Sequence, residues 1–174
     1  MVRATVFRRS LCVVSLALLT ASAAIGCAVP APKAPIPKRP IEEGRAERII
    51  GQSIQKEGLE PGPPKTITYG GKMIVLDVTI NHRRLGIAYL TPMDVDNLGH
   101  SSLAYSKNEQ GDPLRIETVS DADGEMHFVV LYATDYSYDD TEGAQHEATV
   151  ITAENKLDRD VRDFINIAAR EHFE

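Results

Sequence analysis

Two hydrophobic rhythms divide the chain. Over residues 42–57 the apolar positions Ala46, Ile49, Ile50 and Ile54 recur at helical spacing, with Arg45, Glu47, Arg48 and Lys56 between them, which predicts a helix. Gly44 and Gly51 weaken it, Gly58 offers a stop, and Pro61-Gly62-Pro63-Pro64 forbids its continuation. From Lys65 the period drops to two. Residues 65–69 and 72–80 flank Gly70-Gly71, a hairpin turn in which glycine supplies the positive φ. In the second run Ile74, Leu76, Val78 and Ile80 share one face and Asp77 and Thr79 the other.

Further strands are expected at 84–90, ended by Pro92, and at 101–106. Residues 114–120 and 125–135 flank the turn Asp121-Ala122-Asp123-Gly124, and a last strand is expected at 144–152. The run from Met126 to Ala133 is apolar on both faces, which suits a central strand, with Tyr132 in the core. The final element is a helix: Leu157, Val161, Phe164, Ile165 and Ala168 form one stripe, with Asn155 as N-cap and Asp158 three residues on. The sum is an α+β fold, a mostly antiparallel sheet of six or seven short strands with an amphipathic C-terminal helix and a shorter N-terminal one. No internal repeat is visible, and residues 42–174 fit one domain.

The first 27 residues follow a different logic. Arg3, Arg8 and Arg9 precede an apolar run of about 15 residues, too short for the ~20 a membrane span needs. Small residues crowd its end, and Ala24-Ile25-Gly26-Cys27 closes it. This ending resembles the lipobox of bacterial lipoproteins, with Ala24 where leucine is usual. The resemblance implies cleavage after Gly26, a diacylglyceryl lipid on Cys27, and a domain held on the membrane outside the cytoplasm. In a cell with two membranes, Ala28 resembles the signal for the outer membrane, facing the periplasm. Ordinary signal-peptidase release and a retained N-terminal helix are the competing readings, and Arg8-Arg9 leaves twin-arginine export open beside the general route.

Cysteine usage agrees with the lipid reading. Cys12 lies in the segment to be removed and Cys27 would carry lipid, so the mature part has neither a thiol nor a disulfide. Residues 27–41 read as a tether. Prolines recur from Pro30 to Pro40 and favour an extended polyproline II chain, and Lys33, Lys38 and Arg39 make it basic. At ~3.1 Å per residue such a segment spans about 40 Å.

Charge narrows the function classes. Without Arg3, Arg8 and Arg9 the chain has 16 basic and 25 acidic side chains, a net of −9. Between Pro92 and Glu147, Lys107 and Arg115 face 13 carboxylates. Phosphate backbones would be repelled, so nucleic acid is excluded as a partner, while a cationic partner or a divalent metal is permitted. The densest acidic run is residues 135–142. Asp135, Asp139, Asp140 and Glu142 are the candidate ligands for Ca2+ there, and Tyr136 and Tyr138 candidate contacts for a partner or ligand. The turn at 121–124 resembles a fragment of a calcium loop, but Val119 and Val130 stand where that loop needs carboxylates.

None of His82, His100, His127, His146 and His172 has the helical partner of a zinc protease. Convergence of His100, His127 and His146 in space stays open. No nucleophile elbow, phosphate loop or dinucleotide motif occurs. Catalytic residues and cofactors other than the lipid are therefore not expected. The leading expectation is a non-catalytic, membrane-anchored envelope lipoprotein that binds a protein, as an accessory of a larger assembly. A small-ligand or cation module using the acidic loop, and a carboxylate-dependent hydrolase, are the alternatives.

Overall fold

Helices, a five-stranded sheet and a two-stranded hairpin stack as three layers. The computed structural model describes residues 37–99, 114–121, 124–139 and 148–173. In chain order these form β1 (Arg39–Pro40), α1 (Glu43–Lys56), β2 (Pro61–Gly62), β3 (Lys65–Tyr69), β4 (Lys72–Leu76), β5 (Val78–Ile80) and β6 (Leu85–Leu90). There follow α2 (Pro92–Leu98), β7 (Glu117–Asp121), β8 (Gly124–Tyr132), a 3-10 turn (Ala133–Tyr136), β9 (Ser137–Tyr138) and α3 (Val150–Arg170). The fold is α+β, and α1 falls within a residue of its expected span at either end.

The main sheet has the order β2-β5-β6-β8-β7. Its pairs are antiparallel except at the centre, where β6 and β8 run parallel from Leu85↔His127 to Leu90↔Tyr132. Both central strands are covered on both faces, as parallel pairs require. Leu85, Ile87 and Tyr89 of β6, with Val129 and Leu131 of β8, face α1 and α3. Ala88 and Leu90, with Met126, Phe128 and Val130, face the hairpin β3–β4 and α2. Gly86 is required for that second contact. A Cβ there would lie 2.5 Å from Leu76 Cδ1, so only glycine lets the hairpin settle this close.

The expected strand over 72–80 is two strands. Ile74, Leu76, Val78 and Ile80 keep their common direction, but the chain steps down one layer at Asp77. Ile74 and Leu76 therefore land between hairpin and sheet, and Val78 and Ile80 between sheet and helices. Beyond Val78↔Ile87 the ladder has lost its strand, and the Asp77 carboxylate accepts the Tyr89 N–H at 2.6 Å in its place.

Three other expectations are corrected. Residues 92–98, between the strands expected at 84–90 and 101–106 and given no element there, form α2. Thr91 and Asp94 form a reciprocal capping box with Pro92 at the first helical position. The strand expected over 144–152 is overturned at its described end. Thr149 accepts the Thr152 N–H at 3.1 Å and starts α3 at Val150, so Asn155 lies inside the helix rather than capping it. The cap outweighs the strand preference of Val150 and Ile151. The last residues of the expected tether belong to the fold: Arg39 and Pro40 pair with Tyr138 and Ser137, and Ile41 is buried. The strand expected over 101–106 lies outside the described residues.

Helix α3 packs its expected stripe, Leu157, Val161, Phe164, Ile165 and Ala168, against α1 and the sheet. Polar contacts align the two helices. Ser53 Oγ and Lys56 Nζ each donate to Asp158 at 2.7 Å. Burial pushes the Asp158 carboxyl up, but these two donors outweigh it and hold the group below its ordinary pKa.

Candidate functional site

The expected cation loop is a structural corner over its described part. The backbone carbonyl of Asp135 accepts from Lys156 Nζ at 2.9 Å. Asp139 is buried; its N–H donates to the Ala148 carbonyl at 3.0 Å and its carboxylate accepts the Ala148 N–H at 3.3 Å, tying residue 139 to residue 148. Tyr136 and Tyr138, expected as partner contacts, are both core residues. Tyr136 donates its hydroxyl to the buried Asp160 at 3.0 Å, and burial followed by the Asp160 charge raises its pKa. The Tyr138 ring lies 5.1 Å from the Arg39 guanidinium. The physical reason is amphipathic: a tyrosine ring fills core volume while its hydroxyl finds a buried acceptor. Cys27, Gly26, Asp140 and Glu142 lie outside the described residues, as do His100 and His146. His127 stacks on Phe173 with centroids 3.9 Å apart.

Carboxylates converge elsewhere. Among the described residues, Glu43, Glu47 and Asp77 bring one oxygen each to within 4.8 Å of one another. Glu43 and Glu47 are one helical turn apart on α1 and so share a face. Asp77 reaches them from the step between β4 and β5. No basic side chain among the described residues forms an ion pair with any of the three. Burial raises the Asp77 pKa to about 6; Glu43 and Glu47 add to the shift and the Tyr89 N–H opposes it.

Glu43 and Asp77 of this cluster also line an open groove of about 280 Å³ between β4 and α2. Met73, Ile74 and Val75 form one wall and Asp94, Asn97 and Leu98 the other. The lining is apolar as well as acidic: Met73 is 74% exposed and Val75 49%. A second cleft, lined by Lys65, His82, Arg83 and Arg84, has the opposite sign. Two of its three cations share one carboxylate, Lys65 and Arg84 contacting Asp121 at 2.6 and 2.9 Å, and no exposed large apolar side chain lines it. The β4–α2 groove is thus where apolar exposure and unbalanced charge coincide.

No family model, curated protein or solved structure matches the chain. The sequence carried part of the signal for this site. The spacing of Glu43 and Glu47 and the acidic interruption at Asp77 were both visible. Their meeting depends on the layer step at Asp77, which periodicity does not encode. Among the described residues no helix is long and apolar enough to cross a membrane.

Proposed function

We propose that this is a lipid-anchored protein of the bacterial cell envelope whose folded part binds another protein. The observation that carries the binding half is the exposed pair Met73 and Val75 on one wall of the β4–α2 groove. Single exposed apolar residues are ordinary, but neighbours gathered on one groove wall mark a contact surface. The anchoring half is supported by the basic start, short apolar run and small-residue ending at Cys27. Lipid chains contribute about 0.8 kcal/mol per buried methylene, enough for stable attachment when two or more are present.

The test is metabolic labelling with a clickable fatty acid, membrane fractionation and cross-linking in intact cells, with Cys27→Ala beside the natural chain. The expected result is label and membrane association lost in the variant, together with one stoichiometric envelope protein cross-linked to the natural chain. An unlabelled chain that stays soluble would remove the anchor, and the absence of any specific cross-linked protein would remove the binding role.

A second reading, a divalent-cation module, has one observation in its favour, the meeting of Glu43, Glu47 and Asp77. It would hold the cation at the groove, with the loop over 135–142 as the other candidate. A ligand that binds only the folded state raises its stability, so this reading requires that millimolar Ca2+ raise Tm and that Glu47→Gln abolish the rise.

A further inference from the structure

Among the described residues β4 has a strand neighbour on one side only. It pairs with β3 from Lys65↔Leu76 to Tyr69↔Lys72, and no other strand joins this pair. Its second edge is the wall of the groove opposite α2. Met73, Ile74 and Val75 line that wall although the Ile74 side chain is buried. Neighbouring side chains of a strand point to opposite faces, so a consecutive run lines a groove only where the strand presents its edge. An open strand edge is a template for one more strand.

We propose that this edge takes an extended, basic segment of the partner protein as an added strand beside β4. The inference rests on the protein-binding reading above and names the partner's chemistry. Main-chain hydrogen bonds to β4 hold the segment. Alternate apolar side chains meet Met73 and Val75, which lie two residues apart on one face. Lysine or arginine side chains at one end reach Glu43, Glu47 and Asp77. Charge complementarity selects this occupant. A second copy of the chain, with a net charge of −6 over its full length, would set carboxylates against carboxylates. A small molecule is poorly served, because the groove is open rather than enclosing.

The experiment titrates the full-length chain against a fluorescein-labelled hexapeptide of alternating lysine and valine, read by anisotropy. Three comparisons accompany it: the same peptide N-methylated at alternate residues, a glutamate–valine counterpart, and the protein variants Met73→Ser/Val75→Ser and Glu43→Gln/Glu47→Gln. Strand addition predicts at least tenfold weaker binding of the N-methylated peptide, about fivefold weaker binding by each double variant, and none of the acidic peptide. Equal affinity for the N-methylated peptide would reduce the interaction to charge attraction and overturn the inference, as would failure of the basic peptide to bind.

A photoreactive residue at position 73, set against one at the exposed Ile151 on α3, separates this inference from the reading beneath it. Capture of an envelope partner from position 73 alone supports strand addition. Capture from position 151 alone overturns strand addition and leaves protein binding standing. Capture of a second copy of the chain from position 73 overturns the basic occupant, and capture of nothing from either position overturns both.

Discussion

The two faces of the five-stranded sheet are unequally built. Among the described residues, 21 buried ones from α1, α3, the sheet and the chain around Tyr136 make one continuous cluster on the helix side. On the hairpin side the cluster has eight described residues. At about 25 cal/mol per Å² of apolar surface removed from water, the larger cluster supplies most of the driving force. The smaller one leaves Met73 and Val75 in solvent and an open strand edge beside them. One face holds the molecule together, and the other keeps surface available for contact.

That contrast is most severely tested by truncating each core. Phe164→Ala on the helix side should cost about 3–5 kcal/mol in denaturant unfolding, since the ring is fully buried between α3 and the sheet. Ile67→Ala on the hairpin side should cost nearer 2 kcal/mol, the low end for such truncations. Equal losses would mean that the hairpin is as central to stability as the helices. Gly86→Ala should cost about 1–3 kcal/mol through its collision with Leu76. Adding Leu76→Ala should recover part of that loss in a double-mutant cycle, because it removes the atom in the way.

Asp77→Asn sharpens the comparison in the opposite direction. The folded pKa of Asp77, about 6, lies above the ordinary value of 3.8, so the folded state holds the proton more tightly than the unfolded chain does. The favourable contribution of this group is complete below about pH 4 and is lost as pH rises through 6. Asparagine keeps an acceptor for the Tyr89 N–H and carries no charge beside Glu43 and Glu47. The variant should gain about 1 kcal/mol at pH 7.5 and progressively less toward pH 4, followed by thermal unfolding across that range. A gain independent of pH would show that charge is not its cause. Smallest of all, Met73→Ser and Val75→Ser should each change stability by less than about 0.5 kcal/mol, as exposed positions do, whatever they do to binding.

Much of this architecture could be read from periodicity. The stripe Ala46, Ile50 and Ile54 and the stripe Leu157, Val161, Phe164 and Ala168 are both buried as expected, and the Gly70-Gly71 and Asp121–Gly124 turns join the strands they were expected to join. What escaped depended on contacts distant in sequence. The parallel pairing of β6 with β8 is a crossover, invisible to local pattern. The layer step at Asp77 leaves the alternation of Ile74 to Ile80 intact while changing the partners of every side chain after it. Helix α2 was signalled by Thr91-Pro92-Met93-Asp94, but it is seven residues long and its apolar face against the hairpin-side cluster is only Val95 and Leu98, both half-buried, too short a run for a periodic stripe. At the site, counting acids pointed to residues 135–142, where charge is densest. The described part of that run is tied into the fold, with Asp139 buried, whereas the Glu43–Glu47–Asp77 meeting depends on contacts distant in sequence.

The pairing of Arg39 and Pro40 with Tyr138 and Ser137 has a mechanical meaning. Load entering from the amino-terminal side is met first by this two-residue ladder, by the buried Ile41, and by the Tyr89 hydroxyl donating to the Ile41 carbonyl at 2.9 Å. The next element along the chain is α1, whose inner face belongs to the larger core. Tension applied from that side would have to undo these contacts at residues 39–41 before it reached the helix, as a strain relief does for a cable.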